Sequence, residues 1–226
     1  NPVYSTTGSV IHRILATTWG FVTGRGISAN LSSMTHSIAA TRPDAAASCR
    51  MATDSIEDTY ASYLTDESRK SGVVPERMYF PESTEEVASV LAEVHERGEA
   101  ITISGARTGI AGGAVAAAKN LLVLDGLKKA VSLRQSPDGN WFASTGAGTT
   151  LSDLKDALRS TEPDGLFYPV DPTETSASVG GTIATNASGA RTLKYGPTRD
   201  WVNRITAVLA DGSILTIERG DRSEER

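Results

Sequence analysis

A chain of 226 residues is long enough to bury a real core and to form one or two domains. Its 27 acidic against 22 basic side chains, with no run of Lys or Arg, argue against a nucleic-acid partner, which needs a cationic footprint. Hydrophobic residues at 39% and charged residues at 22% are ordinary for a soluble globular protein, and no stretch reaches the ~18 apolar residues of a membrane helix. The best candidate, residues 10–22, is broken by His12, Arg13 and Gly20. The single cysteine, Cys49, cannot form an internal disulfide and has no zinc spacing around it, which points to a reducing compartment. His12, His36 and His95 stand far apart, and His95 lies among charges on a predicted surface helix, so none of them is read as functional.

The first fifty residues differ from the rest. Four arginines against Asp44 give them +3, which leaves −8 for the remainder of a chain at −5. Arg- and Ser-rich, acid-poor composition is that of an organelle leader, and equally of an unstructured extension. Residues 1–50 are therefore set apart as an N-terminal extension and 51–226 as the folded domain. In that domain Asp54-Ser-Ile-Glu57 has capping-box spacing ahead of Ile56, Tyr60, Tyr63 and Leu64, which recur at helical intervals. A short strand is predicted over Met78-Tyr-Phe80. A helix follows from Ser83 with Val87, Val90, Leu91 and Val94 on one face, ending at Gly98. Strands are predicted at 100–104, 120–125, 130–134 and 141–144, the last two around a Pro-Asp-Gly-Asn turn. Residues 149–160 read as a helix capped by Ser152 with Leu151, Leu154 and Leu158 inward. Residues 202–210 and 213–218 read as a hairpin around Asp211 and Gly212. Interleaved helices and strands, together with hairpins, predict an α+β fold.

Two segments carry the chemistry. The first, Ser104-Gly-Ala-Arg-Thr-Gly-Ile-Ala-Gly-Gly113, follows a predicted strand and holds four glycines in nine residues. Successive backbone N–H groups in such a turn form an anion-binding concavity, and a pyrophosphate is a natural guest. Thr108 adds a hydroxyl and Arg107 a charge. The spacing is neither the dinucleotide fingerprint nor a P-loop, so taken alone it equally fits a structural glycine turn. The second segment, residues 168–189, is built from short hydroxyls and small side chains around Gly180 and Gly181. A core segment would be more apolar and a surface loop richer in Lys and Glu. Small residues let a ligand lie against the backbone, and Ser, Thr and Asn orient it.

The two segments, with Phe80-Pro-Glu-Ser-Thr-Glu-Glu-Val87, Lys194-Tyr-Gly-Pro-Thr-Arg-Asp200 and Val208-Leu-Ala-Asp-Gly212 in this order across residues 56–219, resemble the FAD-binding domain of the vanillyl-alcohol-oxidase superfamily (the PCMH-type fold). Within it the chain resembles the D-type flavoprotein chain of glycolate oxidase and the FAD-dependent D-lactate and D-2-hydroxyglutarate dehydrogenases. The resemblance implies a fold of two α/β subdomains. It implies that Gly105, Ala106, Arg107, Thr108, Gly109, Gly112 and Gly113 wrap the FAD pyrophosphate. It implies that Asp171, Thr173 and Ser176 lie along the cofactor, and that Gly180, Gly181, Thr185, Asn186, Ala187 and Ser188 line another side near the phosphates and the flavin. Tyr195 and Gly196 would shape the wall near the ring. The family often has glycine where Arg107 stands, so Arg107 either reaches the phosphates or lies on the surface. Some members attach FAD through a histidine of the first loop. No histidine occurs in residues 104–115, so the FAD is expected to be noncovalent.

The resemblance further implies a substrate-binding cap domain after Glu218, bearing the substrate arginine, histidines and any metal site. The chain ends at Arg226, so the cap is expected as a missing part or a partner chain, and no catalytic residue and no metal ligand is nominated. The expected function is the FAD-binding portion of an oxidoreductase that takes a hydride from a D-2-hydroxy acid. Its electrons would pass to a quinone, a cytochrome or a flavoprotein. The expected location is cytoplasmic, or mitochondrial if residues 1–50 are a leader. Another oxidase or dehydrogenase of the superfamily, a noncatalytic FAD-binding fragment and a generic phosphate-binding module stand as alternatives.

Overall fold

The structure, a computed structural model, describes residues 13–20 (backbone alone), 49–52, 55–160, 166–170 and 173–219. In chain order the elements are β1 (Arg13–Gly20), β2 (Arg50–Met51), α1 (Ile56–Thr59), β3 (Arg77–Phe80), α2 (Thr84–Glu96), β4 (Ile101–Ser104), β5 (Asn120–Val123), β6 (Ser132–Gln135), β7 (Trp141–Thr145), α3 (Leu151–Arg159), α4 (Val179–Ala184), α5 (Thr192–Tyr195), β8 (Val202–Val208) and β9 (Ile214–Glu218). They form a four-stranded sheet ordered β2-β3-β5-β4 and a five-stranded sheet ordered β6-β7-β1-β8-β9. The mixture is the predicted α+β class. Two compact units divide the chain: residues 1–18, 127–205 and 217–226 form one, residues 19–126 and 206–216 the other.

In the unit that contains residues 19–126, β3, β5 and β4 run parallel, with β2 antiparallel at the edge of β3. The β5 strand is buried along its whole length, as a central parallel strand must be. Met78, Phe80, Leu121 and Val123 alternate onto one face and pack with Ile56, Tyr60, Tyr63 and Leu64. α2 is capped by the Ser83 hydroxyl, which accepts from the N–H of Glu86, and it buries Val87, Val90, Leu91 and Val94 as the spacing predicts. The helix expected from Asp54 is a single turn, α1, followed by a 3-10 turn at Ala61–Tyr63. Its N-cap is Ser55, without a side-chain cap bond. Tyr60 and Tyr63 are drawn onto Phe80 instead, with ring centroids 5.4 and 5.8 Å away, and this aromatic packing overrides the helical period.

In the other unit Ala143, Leu151, Leu154, Leu158, Leu166, Tyr168, Val170, Ala177 and Val179 form one core cluster. The three leucines of α3 are fully buried, each stabilising by roughly 1.5–3 kcal/mol. The expected Ser152 cap is corrected to Thr150. The Thr150 hydroxyl accepts from the N–H of Asp153 at 3.1 Å, and the Asp153 carboxylate accepts from the N–H of Thr150 at 3.2 Å. This is a capping box with Asp in the place more often held by Glu or Gln. β1 pairs parallel with β7, with Arg13 opposite Phe142. A segment of the N-terminal stretch that composition sets apart is therefore a strand between β7 and β8.

Replacing Thr150 by Ala is expected to cost about 1 kcal/mol in urea unfolding and Ser152→Ala only a few tenths. The reverse order would contradict the Thr150 cap.

Candidate cofactor-binding site

β4 delivers the chain to the first glycine turn. Its last residue, Ser104, is fully buried, and its hydroxyl has no hydrogen-bond partner among the described residues. A buried polar group without a partner costs on the order of 1–3 kcal/mol, so such a hydroxyl marks a place where something else can bind. From Ala106 through Gly113 no backbone N–H donates to any described atom. Internal bonding resumes at Ala114, whose N–H reaches the Asp66 carboxylate at 3.4 Å, and at Val115, which donates to the Gly112 carbonyl. Burial alone would raise the Asp66 carboxyl, but the bonds from Ser68 and Ala114 outweigh it and hold Asp66 below the usual carboxylate range. Gly112 has φ +83°, which a side chain rarely adopts. The donors on offer are backbone N–H groups and hydroxyls, the chemistry that phosphate oxygens accept. The turn therefore fits the pyrophosphate of a dinucleotide.

Arg107 does a different job from the one its charge suggests. Its guanidinium forms a two-pronged pair with Asp125 (2.9 and 3.3 Å), donates to the Gly105 carbonyl at 2.7 Å and lies 4.3 Å over the Tyr63 ring. The Arg107 carbonyl accepts from the N–H of Glu67. The side chain is turned into its own unit, and its charge is met by Asp125. Its backbone sits at φ +60°, where glycine is the easy choice and another residue carries strain of about 1 kcal/mol. The ion pair and the ring contact offset that strain, and they fix the Gly105 carbonyl while the following N–H groups stay free.

The second segment uses its donors internally. Val179 and Gly180 donate to the carbonyls of Thr149 and Ala147. Leu151 and Ser152 donate back to Ala177 and Thr175. This clasp, centred on an antiparallel bridge between Thr150 and Ser178, satisfies the starts of both α3 and α4. Gly181 donates to the Ser178 hydroxyl, and Thr182 to the Ser178 carbonyl. The N–H groups of Gly180 and Gly181 are therefore engaged within the protein, and Gly180 is buried. Thr173, Ser176, Thr185 and Ser188 are exposed or half-buried. Asn186, at φ +48°, accepts from the Arg199 N–H through its side-chain oxygen. The Ala187 carbonyl accepts from both the N–H and the hydroxyl of Thr198. Burial pushes the Tyr168 hydroxyl up to about 12, offset in part by its hydrogen bond with Thr198. Tyr195 packs edge-on to Phe167 at 6.0 Å, and its carbonyl accepts from the Trp201 ring N–H. Gly196 sits at φ +80°, which side chains rarely adopt, and a Cβ there would have to displace an Asp200 carboxylate oxygen.

Of the predicted site residues, Gly105, Ala106, Arg107, Thr108, Gly109, Gly112 and Gly113 belong to the unit of residues 19–126. Those from Thr173 to Gly196 belong to the other, and Asp171 lies outside the described residues. Sequence reasoning missed Asp125 and Tyr63, which brace the first turn. The available signal was an arginine at a glycine position, which needs a counter-charge. Among the described residues no cluster of three metal-ligating side chains occurs, and no helix is long and apolar enough to cross a membrane.

The FAD binding domain family matches residues 75–218, so the chain belongs to that family. It is 41% identical over 143 residues to a D-lactate dehydrogenase of Anaerostipes hadrus, covering 63% of this chain and 29% of that protein. It is 36% identical over 157 residues to a D-2-hydroxyglutarate dehydrogenase of Xanthomonas citri pv. viticola, covering 69% and 32%. The chain thus spans less than a third of the length of these relatives. The solved structure of 6-hydroxy-D-nicotine oxidase from Arthrobacter nicotinovorans superposes with a TM-score of 0.62 at 20% identity, covering 77% of this chain and 36% of that one, which shows a shared fold.

The brace gives an ordered expectation. Arg107→Ala loses the ion pair and keeps the strained φ, whereas Arg107→Gly loses the pair and relieves the strain. The alanine variant should therefore be the less stable by about 1 kcal/mol in urea unfolding. Equal stabilities would contradict the strained brace.

Proposed function

We propose that this chain supplies the FAD-binding part of a flavoprotein that oxidises D-2-hydroxy acids of the D-lactate, D-2-hydroxyglutarate or glycolate class. The observation that carries the reading is the run of N–H groups from Ala106 to Gly113 that have no acceptor among the described residues, beside the buried hydroxyl of Ser104, in a member of the FAD binding domain family. The D-2-hydroxy acid class is supported by the relatives named D-lactate and D-2-hydroxyglutarate dehydrogenase. When bound, FAD supplies the acceptor for a hydride equivalent.

This chain's residues bind and orient. Ala106 to Gly113 donate to the pyrophosphate, with Thr108 adding its hydroxyl. Gly180, Gly181 and the small side chain of Ala187 let the cofactor approach the backbone, and Thr173, Ser176, Thr185, Asn186 and Ser188 offer polar edges along it. Asp171 is assigned along the cofactor with Thr173 and Ser176, and Tyr195 and Gly196 shape the wall by the ring. Attachment is noncovalent, because the first turn holds no histidine. No residue is assigned as the base that removes the hydroxyl proton. That group, the substrate-binding cap and the contact with a quinone, cytochrome or flavoprotein acceptor are placed in the remaining length seen in the relatives, or in a partner chain. The protein is placed in a reducing compartment: the cytoplasm, or the mitochondrion if residues 1–50 act as a leader.

The test is spectroscopic. Full-length protein reconstituted with FAD should show a flavin absorbance band that survives gel filtration and bleaches anaerobically with a D-2-hydroxy acid but not with its L enantiomer. A protein that retains no flavin would overturn the FAD reading. Retained flavin that no hydroxy acid bleaches would overturn the substrate class.

A further inference from the structure

We propose that Lys70 supplies the positive charge for the pyrophosphate, the role that its charge would otherwise give to Arg107; the proposal rests on the FAD reading above. A turn of backbone N–H groups offers only partial charges, and a pyrophosphate carries full ones. A cation near the turn therefore adds attraction that the amides alone do not. Arg107 is not that cation, because Asp125, the Gly105 carbonyl and the Tyr63 ring occupy it.

Lys70 lies against the turn at Gly112. A Cβ built on that glycine would lie 3.2 Å from Lys70 Cδ and 3.6 Å from its Nζ. The ammonium thus sits beside the stretch whose N–H groups have no acceptor among the described residues. Among the described residues it forms no salt bridge. Asp66, the acidic group that acts on it through space, directs its own oxygens to the N–H groups of Ser68 and Ala114.

The segment that carries Lys70 is tied to the turn at two points. The N–H of Glu67 donates to the Arg107 carbonyl at 3.2 Å, and the Asp66 carboxylate accepts from Ala114 just past the turn. Arg69 takes φ +60°, and its N–H returns to the Asp66 carbonyl, so the chain reverses and brings Lys70 back over Gly112. The Lys70 N–H is held by the Ser68 hydroxyl at 3.3 Å. This division of labour is physically sensible. Arginine's fork suits a fixed two-pronged brace, whereas lysine's compact, mobile point charge suits a phosphate that comes and goes.

The test measures binding by the full chain of three ligands: FAD and ADP, which carry the pyrophosphate, and riboflavin, which does not. Lys70→Gln should weaken FAD and ADP by about tenfold, leave riboflavin unchanged and flatten the salt dependence of FAD binding. Lys70→Arg should keep most of the affinity, and the urea midpoint of Lys70→Gln should match the wild type. A Lys70→Gln protein that binds FAD and ADP as tightly as the wild type would overturn the role of Lys70 alone. So would one that loses riboflavin by the same factor. A wild-type protein that binds neither FAD nor ADP would overturn the FAD reading and this proposal with it.

Discussion

From Ala106 to Gly113 no backbone N–H donates to another described atom, so these half-buried and exposed amides are open to a ligand. Much of the surrounding unit is arranged to keep them so. β4 and β5 hold the start of the turn in a parallel register, with Ser104 opposite Val123. Asp125, just past the end of β5, takes hold of Arg107 and through it the Gly105 carbonyl. Asp66 fixes the far end at Ala114. The turn is thus anchored at both ends by side-chain bonds that leave its own donors free. A preorganised set of donors binds an anion without first having to be ordered, and ordering is the usual cost of a glycine-rich loop.

The segment from Thr173 to Gly196 solves a different problem. Its helix starts are satisfied by the exchange of hydrogen bonds between residues 147–152 and 175–180, so α4 presents no open N-terminus. What remains is a strip of small side chains on a firm backbone, with Asn186 and Ala187 secured to the turn at Thr198 and Arg199. The N–H groups of Gly180 and Gly181 are bonded within the protein, whereas those of Gly109, Gly112 and Gly113 have no acceptor among the described residues.

How much of this is legible in the sequence follows from which forces set each element. α2 and α3 are legible because Val87, Val90, Leu91 and Val94, and Leu151, Leu154 and Leu158, are local periodic signals that burial then rewards. The cap of α3 is a Thr150-x-x-Asp153 capping box whose spacing is present in the sequence, but Ser152 inside the first turn competes with Thr150 as the apparent cap. α4 gives little warning, since Gly180, Gly181 and Thr182 are weak helix formers and the turn is held by the clasp. β1 is hidden by its leader-like surroundings, and its place between β7 and β8 is a long-range pairing. The glycine turn itself is legible in full, but the direction of the Arg107 side chain is not. That direction depends on Asp125 and Tyr63, which are distant in sequence and adjacent only in the fold.

If the amides from Ala106 to Gly113 hold the pyrophosphate, amide hydrogen exchange reports it residue by residue. On addition of ADP or FAD to the full chain, the amides of Ala106 to Gly113 should slow, while those of Ala114 and Val115, already bonded within the protein, should change little. Bound FAD with unchanged exchange across Ala106 to Gly113 would contradict the account.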